Sequence, residues 1–120
     1  MEEEKAKPVF DRDYALEITD GDTEFLKELA ELFNTDYPQK LAGISRAIEE
    51  KDFKVLYKTA HSLKGASGNL GLSRVYELAF EIEKMGKAEN IEGIDKIYQE
   101  LEEELERFKE FVSRPGWEEE

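Results

Sequence analysis

The chain has 120 residues, 39% of them hydrophobic and 39% charged, which suits one helical domain with one modest core. A formal net charge of −13 argues against nucleic acid and anionic membrane surfaces, whose binding depends on Lys and Arg. The absence of cysteine excludes a disulfide framework and a thiolate metal site.

Residues 1–9 read as a charged lead, without the basic and apolar regions of a signal peptide. No run of roughly 18 apolar residues is present to span a membrane, and the expected location is the cytoplasm. Asp11 to Ile18 predicts a short helix with Tyr14 and Ile18 on one face. Thr19-Asp-Gly-Asp22 is turn chemistry, and Asp22 is a good N-cap for the next element. Leu26, Leu29, Phe33, Tyr37, Leu41, Ile44 and Ile48 then recur every three or four residues, the pattern of a long amphipathic helix. Pro38 lies inside it and predicts a kink or short break.

Asp52 is a second N-cap, and Phe53, Leu56, Tyr57, Ala60, Leu63 and Ser67 share the face that follows. Gly68-Asn-Leu-Gly71 closes this helix with residues that tolerate left-handed backbone. Val75, Leu78, Ala79, Ile82 and Met85 define a third long helix, with Gly86 as its expected C-terminal stop. The last helix begins near Asn90 or Gly93 and carries Ile94, Ile97, Tyr98, Leu101, Leu105, Phe108 and Val112. Pro115-Gly116 breaks it, leaving residues 114–120 as an acidic tail. Four long helices joined by short loops predict an all-α fold, an antiparallel four-helix bundle spanning 10–113, with the short N-terminal helix across one end. Such a bundle closes its own core, so a monomer is expected.

The chemistry centres on His61, the chain's one histidine. At about 100° per residue it falls on the flank of the second long helix, roughly 100° from the centre of the apolar face. Lys58, Lys64 and Gly65 are its neighbours by three- and four-residue spacing, and Gly68 lies two turns on. From Phe53 to Tyr76, 24 residues, there is no Asp or Glu, whereas Lys54, Lys58, Lys64 and Arg74 give +4, in a chain with 30 acidic residues. A basic strip around a histidine suits a site that holds a phosphoryl group. Gly65 costs about 1 kcal/mol relative to Ala inside a helix, and it leaves open surface beside the imidazole. A neutral imidazole is nucleophilic near neutral pH, and phosphoryl transfer needs mostly positioning and charge stabilisation.

Other chemistries find less support. Asp20-Gly-Asp22 lacks the ligand pattern of a calcium loop. Ser62 and Ser67 have no triad partner, and one histidine with scattered carboxylates makes no transition-metal site. Gly68-Asn-Leu-Gly71 lacks the Gly-Lys-Ser/Thr ending of a Walker loop. No ATP site is visible, so the chain reads as no enzyme in its own right.

The run Ala60-His61-Ser62-Leu63-Lys64-Gly65-Ala66-Ser67-Gly68-Asn69-Leu70-Gly71 resembles the signature of histidine-containing phosphotransfer (HPt) domains. The resemblance covers roughly residues 10–112, including the helix with Pro38 and the Glu-rich last helix. It implies that His61 is the phosphoacceptor, through Nε2, and that Lys64 holds phosphoryl oxygens. Gly65, and with it Gly68, would clear space for a docking receiver domain. The implied partners are response-regulator receiver domains, with a hybrid histidine kinase as a further candidate. Mg²⁺ would belong to the receiver, and no cofactor to this chain. Many family members carry a glutamine where Glu83 aligns. A carboxylate there would repel a phosphoryl group but could orient the imidazole. A pure interaction module, or the phosphoacceptor domain of a larger kinase, remain alternative readings.

Overall fold

The computed structural model describes residues 11–119, so the charged lead at 1–9 lies outside the described residues. Among the described residues five α-helices follow one another: α1 Arg12–Ile18, α2 Thr23–Glu50, α3 Phe53–Asn69, α4 Ser73–Ala88 and α5 Ile94–Val112. A 3₁₀ turn, Trp117–Glu119, ends the described chain. Three aspartates start helices as their side chains allow. Asp11, Asp22 and Asp52 accept from the backbone N–H of Tyr14, Phe25 and Val55 at 3.1, 3.1 and 3.2 Å. Each such cap stabilises its helix by about 1 kcal/mol.

Short connections make successive long helices antiparallel, and α5 returns to α2, closing a four-membered ring. The core is a single cluster drawn from every helix. Its fully buried large side chains include Leu26 and Ile44 from α2, Leu56 and Leu63 from α3, Ile82 from α4, and Leu101, Leu105 and Phe108 from α5. Phe33 meets Phe108 edge to face, with ring centroids 5.3 Å apart, and so joins α2 to α5.

Four details sharpen or correct the sequence reading. Helix α2 passes through Pro38 without interruption. One missing N–H bond does not break a helix whose buried residues continue on either side, from Phe33 to Ile44. On α1 the buried residue is Ala15, while Tyr14 and Ile18 are 42% and 41% exposed. Gly86 does not stop α4. It is buried inside the helix, where a Cβ would stand 3.0 to 3.1 Å from Tyr57 on α3. The glycine therefore permits close approach of α3 and α4, and Glu89, at φ 56°, caps the helix instead. Of the tail expected at 114–120, the described part, 114–119, folds back. Gly116, at φ +76°, turns the chain so that Trp117 is 5% exposed and packs edge-on against Phe111.

The α3–α4 turn is tied to α1. The Asp11 N–H donates to the Gly71 carbonyl at 2.8 Å. Gly71 has φ +74°, and a Cβ there would stand 3.0 Å from the Asp11 carbonyl oxygen. The short helix thereby lies against the end of the α3–α4 hairpin.

Candidate functional site at His61

Helix α3 turns Leu56, Ala60, Leu63 and Ser67 into the core. That registration leaves His61 on the flank with its side chain 66% exposed. On the neighbouring helix, Glu83 follows the buried Ile82 and points toward α3, so that only 4% of its side chain is exposed. Its Oε2 is 3.0 Å from His61 Nδ1. Its Oε1 is 2.8 Å from Lys64 Nζ, and Lys87 Nζ lies 3.5 Å from Oε2.

These contacts fix the chemistry available to the ring. A carboxylate only accepts, so a neutral imidazole makes the Glu83 contact with its proton on Nδ1 and its lone pair on Nε2. The nucleophilic nitrogen is then the one not engaged by Glu83. Burial pushes the Glu83 carboxyl up, but hydrogen bonds and charge from Lys64 and His61 outweigh it, and its pKa lies below the ordinary 4.5. Glu83 is therefore an anion at neutral pH despite its burial. Two lysines and an imidazole supply the compensation that a buried carboxylate needs.

Lys64 is 17% exposed at its side chain. Its Nζ lies 4.5 Å from the centroid of the Phe80 ring and 5.9 Å from that of Tyr76. Gly65, one turn beyond His61, has nothing within 4 Å of where a Cβ would be, so the surface beside the imidazole is open. Gly68 is different: a Cβ there would meet the Tyr76 ring at 3.1 Å. Its missing side chain seats an aromatic of α4 and does not simply clear space. An open groove runs along this flank between α3 and α4, bordered by Tyr14, Gly65, Gly68, Leu72 and Tyr76.

The structure thus brings His61, Lys64 and Glu83 together, with Gly65 open beside them. Lys58 is exposed on α3, and Lys87 takes the place of second lysine on Glu83. Lys87, Tyr76 and Phe80 were missed by reading α3 alone. Their signal lies in α4, where Tyr76, Phe80, Glu83 and Lys87 recur every four, three and four residues beside the buried stripe. Among the described residues no group of three or more His, Asp or Glu could hold a metal ion. No described helix is long and apolar enough to cross a membrane.

Comparisons with known proteins point to one family. The family model for the Hpt domain matches residues 28–111. The chain is 28% identical over 104 residues to the phosphorelay intermediate protein rdeA of Dictyostelium discoideum, covering 87% of this chain and 41% of that protein. It is 29% identical over 93 residues to histidine-containing phosphotransfer protein 2 of Arabidopsis thaliana, covering 75% of this chain and 60% of that one. It is 32% identical over 86 residues to multistep phosphorelay regulator 1 of Schizosaccharomyces pombe, covering 71% of this chain and 29% of that one. The chain thus spans only part of the length of these relatives. The fold matches the crystal structure of histidine-containing phosphotransfer protein B from Pseudomonas aeruginosa, with a TM-score of 0.82 at 20% identity over 90% of this chain and 94% of that one. It also matches the HPT domain of a sensor hybrid histidine kinase from Shewanella, with a TM-score of 0.76 at 24% identity over 88% and 91% of the two chains. With the model match covering most of the helical bundle, the chain belongs to the Hpt domain family.

Proposed function

We propose that this chain is a phosphoryl carrier in a two-component phosphorelay, with His61 as the carrying residue. The observation that supports this most is the Glu83 contact to Nδ1, which leaves Nε2 as the nucleophile on an exposed ring. In the forward step the Nε2 lone pair attacks the phosphorus of an aspartyl phosphate on a receiver domain. The P–N bond forms, the P–O bond to the aspartate breaks, and the carboxylate leaves with the electron pair. The positive charge gained by the imidazole is met at Nδ1 by the Glu83 carboxylate. In the return step a carboxylate oxygen of a second receiver attacks the same phosphorus, and His61 leaves as the neutral ring.

Lys64 stands one turn from His61 with its ammonium on Glu83, so it supplies positive charge beside the ring without lying in the line of attack. To contact phosphoryl oxygens it would exchange the carboxylate for the incoming anion. Gly65 leaves room for the receiver's active site to approach. Mg²⁺ is expected on the receiver. The chain carries the group without an ATP site of its own, acts as a monomer and works in the cytoplasm.

Incubation with a phosphorylated receiver tests this reading. The chain should acquire an acid-labile phosphoryl label that a second, unphosphorylated receiver removes. The His61→Gln variant should take up none. If that variant bound the receiver normally and still supported signalling in cells, the chain would be an interaction module instead.

A further inference from the structure

An aromatic pair on α4 stands beside the lysine of the site. Tyr76 and Phe80 stand one turn apart, with ring centroids 6.3 Å from each other. Both are partly exposed, at 39% and 40%. Exposed aromatics on a carrier could serve only for docking, but these two also form the wall along which the Lys64 side chain runs to Glu83. The ammonium lies 4.5 Å from the Phe80 centroid, within the range of a cation–π contact, and 5.9 Å from that of Tyr76, at its edge. Lys84 stands 4.7 Å from the same Phe80 ring and pairs with Glu81.

A lysine carries four flexible bonds, and an ammonium free to wander is poorly placed to act on one imidazole. Here the aromatic wall and the buried carboxylate converge on it from one helix, since Tyr76, Phe80 and Glu83 all belong to α4. Gly68 completes the arrangement, because a Cβ at that position would press on the Tyr76 ring at 3.1 Å. We infer that Tyr76 and Phe80 are positioning residues that hold the Lys64 ammonium against Glu83 beside His61, and that Gly68 seats Tyr76 for this purpose. The inference rests on the phosphorelay reading of His61. It adds that the catalytic lysine is set by the next helix and not by α3 alone.

Two measurements on the full chain test it, one of them independent of any phosphoryl chemistry. In NMR spectra the Lys64 side-chain protons should be shifted upfield by the rings and should move toward ordinary values in Phe80→Leu, while Phe80→Tyr keeps them shifted. Phosphorylation of His61 by phosphoramidate, a small donor that needs no docking surface, should slow by about three- to tenfold in Phe80→Leu, matching the loss of one cation–π contact. Phe80→Tyr should restore the rate, and Phe80→Leu should have no further effect in a Lys64→Met background. Unshifted Lys64 protons in the wild type would overturn the inference. So would an unchanged phosphoramidate rate alongside weaker receiver binding, which would make the aromatics docking residues only. If label persisted in His61→Gln, the carrier reading itself would fail, whatever the Lys64 spectra showed.

Discussion

Helices α3 and α5 belong to the same bundle and bury stripes of similar kind, yet their outer faces differ sharply. Helix α5 buries Ile94, Leu101, Leu105 and Phe108 and carries seven acidic residues against three basic ones. Helix α3 buries Leu56, Ala60, Leu63 and Ser67 and carries Lys54, Lys58 and Lys64 with no acid at all. Burial and propensity ask for the same thing from both helices, so neither explains the difference. A phosphoryl dianion does explain it, because carboxylates near His61 would repel the group it is proposed to carry. The carboxylate that contacts His61 comes from α4, is buried, and meets Lys64 and Lys87.

The largest effect that sharpens this contrast is His61→Gln, which should abolish phosphoryl labelling from a receiver. Next comes Lys64→Met. It should slow transfer about tenfold or more, and it should cost about 1–3 kcal/mol of stability by leaving the buried Glu83 without its nearest cation. Urea denaturation checks the second number, and equal stability would mean that the Lys64–Glu83 pair contributes nothing net.

The two glycines of α3 should then separate. Gly65→Ala should raise stability by about 0.5–1 kcal/mol, because the new Cβ meets open space and Ala is the better helix former. Gly68→Ala should lose that gain, since its Cβ meets Tyr76 at 3.1 Å. Gly65→Leu should slow transfer from a receiver while leaving labelling by phosphoramidate unchanged. Equal slowing with both donors would show that Gly65 acts on the ring and not on docking.

Acid should weaken the site in a defined direction. The Glu83 carboxyl has a folded pKa below its ordinary 4.5. Its charged form therefore contributes stability above about pH 4.5, which is lost as pH falls through the folded value. The stability difference between wild type and Glu83→Gln should shrink with acidification through this window, as thermal unfolding across pH would measure. A difference constant with pH would contradict the depressed pKa. The smallest effect belongs to α5: Glu103→Gln, on the exposed face, should stay within about 0.5 kcal/mol and leave phosphoryl transfer unchanged.

Much of this was legible in the sequence because it depends on local rules. The Asp22 and Asp52 caps, the helix stripes and the flank position of His61 follow from side-chain hydrogen bonding and helical period, whereas Asp11 reads as helical until its carboxylate is seen to cap Tyr14. The remainder depends on contacts between helices. Gly86 reads as a stop until Tyr57 is seen to press against it. Gly68 reads as a cleared approach until Tyr76 is seen to fill it. Trp117 reads as a tail residue because Pro115 and Gly116 signal a break, but not where the chain goes afterwards. Glu83 was found through the family pattern, while its pairing with Lys87 needed the fold.

The proposed carrier chemistry assigns the phosphoryl group to one nitrogen of His61. Heteronuclear NMR of the chain after phosphorylation, with the ring nitrogens labelled, reads this directly. The Glu83 contact to Nδ1 predicts phosphorus on Nε2 of His61 alone. Phosphorus on Nδ1, or on any other residue, would contradict it.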